Sequence, residues 1–253
     1  MEPTRPDGVP GLGRDPLDPA ETAALAAARS RVLERVEAAC RRVRRSQDEV
    51  HLIAVSKTVP VERLRAALAA GLTSLGENRV QEGAEKASLL PGATWHLIGP
   101  LQSNKARRAV EVFDSVQTVD RLDLAARLDR LAGELRPGRP LPVLLQVNVD
   151  ADPAKAGFAA SELGPVIPVL LAYPNLVVEG LMTVGRLVVD PGAARPTFVA
   201  LRRLSEALRR VHPTLGAGLS MGMSDDFEIA VEEGATIVRV GRALFGARPA
   251  ADG

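Results

Sequence analysis

Eight short apolar runs alternate with amphipathic segments from residue 51 onward. Each run is five to eight residues long, which is typical of a buried β-strand, and the segments between them have helical periodicity. Strands that alternate with helices in this way form a parallel sheet. Eight such units within 253 residues favour a single (β/α)8 TIM barrel. The runs are residues 51–56, 72–76, 94–99, 115–119, 142–149, 176–183, 218–222 and 236–241.

The open doubly wound sheet is the main alternative architecture for a chain of alternating strands and helices. Its dinucleotide-binding form carries a Gly-x-Gly-x-x-Gly sequence after the first strand. No such sequence follows the run at 51–56. The barrel is therefore the predicted fold.

The segment before the first run divides into two parts. Residues 1–19 contain five Pro and three Gly and little that could pack, so we predict a disordered tail there. An amphipathic helix follows, with Asp18 as its N-cap and its end near Arg45. We thus expect one barrel domain over 20–253 with an extra N-terminal helix.

The composition excludes several classes of protein. Thirty-two basic and 31 acidic residues leave a net charge of +1, so no strong field favours nucleic acid or an anionic membrane. One Cys cannot form an internal disulfide, and the three His are too far apart for a short-spaced zinc motif. No apolar run reaches the roughly 18 residues of a membrane span. We expect a cytoplasmic protein.

Lys57 directly follows the first run, where a barrel places its functional residues. The chain has only four Lys, at positions 57, 86, 105 and 155, and uses Arg elsewhere. A Lys among the apolar walls of a barrel mouth loses hydration, which lowers its pKa and makes its amine a nucleophile toward a carbonyl. The alternative is a Lys whose ammonium extends into solvent.

The ends of the last two strands predict a phosphate site, as in many barrels. Ser224 precedes a short helix, and its hydroxyl and the following N–H groups could face an anion. Gly241 lets the backbone approach a ligand without a Cβ in the way. The alternative is that Ser224 is only an N-cap and Gly241 only a turn residue.

Arg239 lies in the otherwise apolar run TIVRV, so its buried charge requires a partner. An ion pair with Glu77 is one possibility, and a ring nitrogen of a ligand is the other.

His96 lies inside TWHLIG, where a core histidine that is satisfied by hydrogen bonds is favoured over a catalytic one. Tyr173, the only Tyr, is expected on the opposite face of the barrel, too far away to act as a base.

Seven sequence blocks between about residue 25 and residue 247 resemble the pyridoxal phosphate homeostasis proteins, an alanine racemase N-terminal-like family. The blocks are AVSKT, GENRVQE, WHLIGPLQSNK, VNVDADPAKAGF, GLMTVG, SMGMSDDFEIAVEEGAT and VRVGRALFG. This resemblance implies a barrel of fold type III that binds pyridoxal 5′-phosphate.

The resemblance also implies roles for particular residues. Lys57 would hold the cofactor as a Schiff base, and Ser224 with the backbone at Gly241 and Arg242 would hold its phosphate. Arg239 would face the pyridine nitrogen. Three further residues would line the pocket: Asn78, His96 and Met221.

An Arg beside the pyridine nitrogen leaves that nitrogen unprotonated, which makes the ring a poor electron sink. Racemases of this fold add a β domain that supplies a Tyr base, and we expect no such domain in this sequence. The predicted function is a monomeric carrier or regulator of the cofactor pool with little catalytic activity, whose partners include pyridoxal-phosphate-dependent apo-enzymes. The alternatives are an amino-acid racemase and an aldolase-like barrel that uses Lys57 without a cofactor.

Overall fold

The computed structural model of this chain describes residues 17–185 and 190–246. Residues 1–16, which make up most of the predicted N-terminal tail, lie outside the described residues. Residues 186–189 and 247–253 lie outside them as well.

The described residues form a closed barrel of eight parallel strands, which confirms the predicted fold. One further short strand, β6, pairs in parallel with β5. Each predicted run coincides with one barrel strand to within two residues at either end. The strands are β1 (His51–Val55), β2 (Ser74–Glu77), β3 (Thr94–Leu97), β4 (Ser115–Val119), β5 (Leu141–Asn148), β6 (Phe158–Ala159), β7 (Leu176–Met182), β8 (Gly218–Ser220) and β9 (Ile237–Val240).

Barrel strands pair with their neighbours in chain order, and β9 pairs back with β1 to close the barrel. Helices follow the strands and cover the outside. They are α1 (Pro19–Arg42), α2 (Val61–Ala69), α3 (Val80–Leu89), α4 (Ala106–Val112), α5 (Leu122–Leu135), α6 (Leu163–Leu171), α7 (Arg195–Val211), α8 (Phe227–Glu232) and α9 (Arg242–Phe245).

The extra N-terminal helix, α1, begins as predicted but ends earlier. The Asp18 carboxylate caps it by accepting a 2.9 Å hydrogen bond from the N–H of Ala20. The helix ends at Arg42 rather than near Arg45, because Arg44 adopts a left-handed conformation with φ of 59° that the helix cannot continue through.

One face of α1 packs against α2, α8 and α9. The Arg35 guanidinium forms two hydrogen bonds with the Glu228 carboxylate, at 3.2 and 2.8 Å, and lies 4.5 Å from the centre of the Phe227 ring. This two-point contact fixes the orientation of the charged group as well as its position. The N-terminal helix is therefore a fixed cover over the last two βα units.

Strand side chains alternate between the barrel interior and the apolar layer under the helices. On β1, Ala54 lies in the apolar layer, whereas Ile53 faces inward toward Gly76 of β2. A Cβ on Gly76 would lie 2.8 Å from Ile53 and 2.9 Å from Ile98, so the interior has no room for a larger residue there. Of the helices in the described part of the chain, none has the length and apolar character needed to cross a membrane.

Helix α3 contains a glycine whose substitution tests this close packing. A Cβ on Gly83 would lie 2.4 Å from Cζ of Phe113, which is buried. Gly→Ala usually stabilises a helix by about 1 kcal/mol, but we expect Gly83→Ala to lower the free energy of unfolding by about 1–3 kcal/mol through overpacking. Urea denaturation measures the change.

Gly164 in α6 is the matched control, because a Cβ there meets no atom within 4 Å. Gly164→Ala should leave the stability unchanged or raise it slightly. A Gly83→Ala variant that gains stability as Gly164→Ala does would contradict the packing described for α3.

Candidate functional site

The carboxyl ends of the barrel strands meet at one rim, and most of the sequence-predicted site residues lie there. Lys57 follows β1, Asn78 follows β2, Ser224 follows β8 after a short turn, and Gly241 with Arg242 follows β9. Strands β8, β9, β1 and β2 are consecutive neighbours in the barrel. These residues are therefore brought together on one side of the mouth.

Lys57 occupies a tight turn at the end of β1. The carbonyl of Ser56 accepts a 3.0 Å hydrogen bond from the N–H of Val59, so Lys57 is the second residue of a four-residue turn. Thr58 is the third residue and has a φ of 64°, the sign that a type II turn requires at this position. The Lys57 side chain is half-buried at the rim.

A cavity of about 280 Å³ opens beside Lys57. Its wall includes Val55 of β1 together with Gly241, Arg242 and Phe245 from the end of β9 and from α9. The cavity thus joins the amine-bearing turn to the predicted phosphate site. Its size suits a small ligand or part of one.

Ser224 contacts the end of β9 directly. Its Oγ accepts a 3.2 Å hydrogen bond from the N–H of Gly241. The alternative that Ser224 is only an N-cap is wrong, because α8 begins at Phe227 and its N-cap is Asp226. Ser224 instead connects the β8 and β9 ends, where its hydroxyl hydrogen can be donated to an anion.

The backbone after β9 supplies further donors. Gly241 is the N-cap of α9, so the N–H groups of Arg242 and Ala243 open the first turn, where a helix offers them no acceptor. The Arg242 side chain forms an exposed ion pair with Asp225. Such first-turn N–H groups can face a negatively charged group, whereas the guanidinium is already paired with a carboxylate.

Arg239 projects into the barrel and is 4% exposed. Its Nη1 donates a 2.6 Å hydrogen bond to Oγ of Ser220, and its Nη2 donates a 2.8 Å bond to the carbonyl of Thr183. Ser220 in turn donates to Oε1 of Gln117 at 2.7 Å. Neutral groups thus accept the hydrogen bonds that hold the guanidinium in place.

Burial lowers the pKa of Arg239 to about 10, while the nearby Asp226 carboxylate opposes this effect. The guanidinium therefore still carries its proton at neutral pH. We did not predict the Gln117–Ser220 link, although a Gln within the run SVQTV was a signal for a polar contact inside the barrel.

Glu77 does not pair with Arg239, so that alternative for Arg239 is wrong. The Glu77 carboxylate accepts hydrogen bonds of 2.7 Å from Nζ of Lys86 and from Oγ of Ser56. Glu77 is the neighbour of the inward-facing Gly76 on β2, and alternation along a strand directs it to the helix side. Arg239 and Glu77 are consequently on opposite sides of the barrel wall.

His96 is half-buried in the barrel with both ring nitrogens shielded from solvent, but the hydrogen bonds expected of a core histidine are missing. Among the described residues neither of its ring nitrogens has a partner. Its ring centre lies 5.9 Å from that of His51, the first residue of β1, whereas Lys57 lies past the last. Burial lowers the pKa of His96 to about 4, with a smaller contribution from His51, so the ring is neutral at pH 7.

The remaining predicted residues occupy different settings. Asn78 is half-buried, and its backbone packs so closely on Gly99 that a Cβ there would lie 2.3 Å from the Asn78 carbonyl oxygen. Met221 is fully buried within the apolar core. Tyr173 precedes β7 and therefore lies at the amino-terminal face, as predicted.

The connection after β5 is a structured loop at the mouth, which the sequence did not reveal as such. The Asn148 amide donates to the carbonyl of Asp152 at 2.8 Å, and Asp150 accepts a 2.7 Å bond from the Thr197 hydroxyl. Lys155 donates to the carbonyl of Val184 at 3.2 Å. These bonds fix the loop between β5 and β7.

Comparison with known proteins agrees with the resemblance seen in the sequence. The family described as alanine racemase, N-terminal domain, matches residues 32–249. The pyridoxal phosphate homeostasis protein of Vibrio cholerae is 40% identical over 225 residues, which cover 86% of this chain and 93% of the relative. The protein of the same name from Aquifex aeolicus is 41% identical over 221 residues, with coverage of 87% and 96%.

Solved structures give the same result. PipY of Synechococcus elongatus, whose structure has been solved with PLP bound, superposes with a TM-score of 0.76 at 41% identity over 89% of this chain and 100% of its own. Alanine racemase from Corynebacterium glutamicum shares the fold, with a TM-score of 0.66 at 18% identity, over 91% of this chain but only 63% of the racemase. The chain therefore belongs to the pyridoxal phosphate homeostasis protein family.

Proposed function

We propose that this protein binds pyridoxal 5′-phosphate at the barrel mouth and acts in homeostasis of the cofactor. The observation that carries the proposal is the arrangement on three adjacent strands. Lys57 at the end of β1 shares a cavity with Gly241 and Arg242 at the end of β9, and Ser224 past β8 contacts that same backbone. The names of the relatives and the PLP-bound structure of PipY support it.

The chemistry of these donors fits the cofactor. A primary amine is the group that links reversibly to an aldehyde as a Schiff base. A hydroxyl, backbone N–H groups at the start of α9 and a nearby guanidinium match a phosphate dianion. Gly241 has no Cβ to obstruct the approach of the phosphate, and Asn78 lies at the next strand end, where the ring would lie.

When bound, pyridoxal phosphate supplies an aldehyde that links to amines and a pyridine ring that withdraws electrons. In this proposal, Arg239 sets how strongly the pyridine ring withdraws electrons. Its guanidinium donates but does not accept, and it keeps its proton at neutral pH because its pKa is about 10. A pyridine nitrogen facing Arg239 stays unprotonated, so the protein would hold the cofactor while weakening it as an electron sink.

The racemase alternative requires a second acid–base group across the substrate from Lys57. Tyr173 precedes β7 at the far end of the barrel and cannot reach the mouth. The likeness to racemases at 18% identity extends to the fold alone. Met221 is fully buried and His96 is half-buried, so we assign them support of the pocket wall rather than contact with a substrate.

We further propose that the protein works as a monomer in the cytoplasm and passes the cofactor to pyridoxal-phosphate-dependent apo-enzymes. A half-buried Lys57 beside an open cavity supports release as well as binding. A Schiff base is reversible, so a carrier needs no further chemistry to give up its ligand.

The first prediction concerns the lysine that holds the cofactor. Borohydride treatment of the loaded protein should fix a pyridoxyl group on the peptide that contains Lys57, which mass spectrometry identifies. Lys57→Ala should abolish the absorption band of the Schiff base, whereas Lys105→Ala, a control elsewhere on the chain, should retain it. Labelling of Lys86, Lys105 or Lys155 in the wild-type protein would disprove the assignment.

The second prediction concerns the phosphate. Ser224→Ala removes a hydrogen bond to a charged acceptor, worth about 1.5–3 kcal/mol, so the Kd for pyridoxal 5′-phosphate should rise by about one to two decades. Titration with pyridoxal, which has no phosphate, should show almost no change. Equal losses for the two ligands would mean that Ser224 serves only the fold.

The third prediction distinguishes a carrier from a racemase. With one acid–base face and an unprotonated pyridine, the loaded protein should racemise L-alanine or L-serine only in trace amounts. Chiral chromatography measures the product. Turnover near the roughly 10 per second of ordinary enzymes, lost in Lys57→Ala, would establish the racemase instead.

A further inference from the structure

A buried ion cluster lies behind Lys57, on the helix side of the barrel wall. Nζ of Lys86 on α3 donates to Oε1 of Glu77 at 2.7 Å and to Oε1 of Glu82 at 2.6 Å. It also donates to the carbonyl of Ser56 at 2.7 Å. Lys86 is 6% exposed and Glu77 is fully buried, whereas Glu82 lies at the solvent edge of the cluster. The cluster contributes nothing to the cavity at the mouth, and the proposed function does not use it.

The hydrogen bonds of the cluster converge on the turn that carries Lys57. One acceptor is the Ser56 carbonyl on the amino-terminal side of Lys57. On the other side, the N–H of Thr58 donates to Oε1 of Glu82 at 2.7 Å. The backbone is therefore held immediately before and immediately after the lysine.

This turn is one that its sequence does not favour. Thr58 has a φ of 64°, a conformation that glycine adopts freely and that β-branched residues rarely adopt. The surrounding structure must hold Thr58 there. The bond from its N–H to Glu82 does so directly, and the bond from Lys86 holds the first residue of the same turn.

The charges make these bonds strong. Desolvation opposes ionisation of Glu82, but the hydrogen bond from Lys86 and the Thr58 N–H outweigh it and lower the pKa of Glu82. Glu82 is thus ionised at neutral pH and gives Thr58 a charge-assisted bond. Burial acts the other way on Glu77 and raises its pKa.

We propose that Glu77, Glu82 and Lys86 form a positioning cluster, which fixes the turn so that the Lys57 amine faces the aldehyde of pyridoxal 5′-phosphate. The inference rests on the proposed function. In the link, the amine nitrogen bonds to the aldehyde carbon, and the aldehyde oxygen leaves with the two amine protons as water. A turn that is not held beforehand must be ordered when the link forms, and that ordering weakens the affinity.

The cluster could instead serve only the stability of the fold, and two ligands separate these roles. Pyridoxine 5′-phosphate carries an alcohol in place of the aldehyde, so it occupies the phosphate and ring sites without bonding to Lys57. Glu82→Ala should raise the Kd for pyridoxal 5′-phosphate by about tenfold through lost preorganisation and leave the Kd for pyridoxine 5′-phosphate almost unchanged. Glu82→Gln keeps an acceptor for Thr58 and should retain most of the affinity.

Glu233→Ala is the matched control. Glu233 also binds two partners, Arg195 and Arg202, but it follows α8 at the face opposite the mouth. This variant should alter neither Kd. Lys86→Met is a second test variant, for use if Glu82→Ala does not fold. Met has a similar length and no charge, so this variant should also raise the Kd for pyridoxal 5′-phosphate and leave the Kd for pyridoxine 5′-phosphate almost unchanged.

A rescue experiment tests the mechanism of positioning. Because glycine adopts the left-handed conformation unaided, Thr58→Gly added to Glu82→Ala should restore much of the lost affinity for pyridoxal 5′-phosphate. If the cluster served only the fold, the loss and its rescue by glycine would be equal for pyridoxal 5′-phosphate and pyridoxine 5′-phosphate.

The outcomes are distinct. If Glu82→Ala and Lys86→Met weaken both ligands equally, or weaken neither, the positioning role is wrong although the proposed function stands. If the wild-type protein binds pyridoxal 5′-phosphate no better than pyridoxine 5′-phosphate, the lysine link fails, and the positioning role fails with it. Borohydride labelling of wild-type Lys57 separates these two failures.

Discussion

The pairing of β9 with β1 is the constraint on which the site depends. Four residues of β1 align with four of β9, from His51 with Ile237 to Ala54 with Val240. Without this pairing both strands would present unpaired N–H and C=O groups at open edges. Closure satisfies those groups, and it brings the turn at Lys57 next to Gly241, from the opposite end of the sequence. The lysine and the anion site are neighbours because the barrel must close.

Alternation along the strands then separates two kinds of buried charge. Arg239 lies inside the barrel, where neutral acceptors on Ser220 and Thr183 take its hydrogen bonds and the nearby Asp226 carboxylate stabilises its charge. Glu77 lies on the helix side, where Lys86 pairs with it. A buried charge without compensation is very costly. Each of the two buried charges therefore has an opposite charge on its own side of the wall.

The sequence predicted the parts that depend on local pattern. Strand bounds agree to within two residues because apolar runs and helical periodicity are local signals, and the rule for strand ends located Lys57 and Gly241. Side-chain contacts were harder to predict. The Glu77–Arg239 pair, one of the two alternatives for Arg239, is absent because the face of a strand end depends on register. The role of Lys86 was also missed, although its spacing of four residues from Glu82 on one helix is a recognisable signal.

The same barrel serves enzymes and non-enzymes, so the fold cannot decide between them. Under the proposed function Arg239 would, because cofactor enzymes tune the pyridine ring through the group beside its nitrogen. A carboxylate there would share a proton with the ring and strengthen it as an electron sink. Arg239 cannot take that part, since it has donors only and its pKa of about 10 keeps it charged. Its bonds to Ser220 and Thr183 also fix it in place. If the pyridine nitrogen faces Arg239, as we propose, the guanidinium favours retention of the cofactor over turnover.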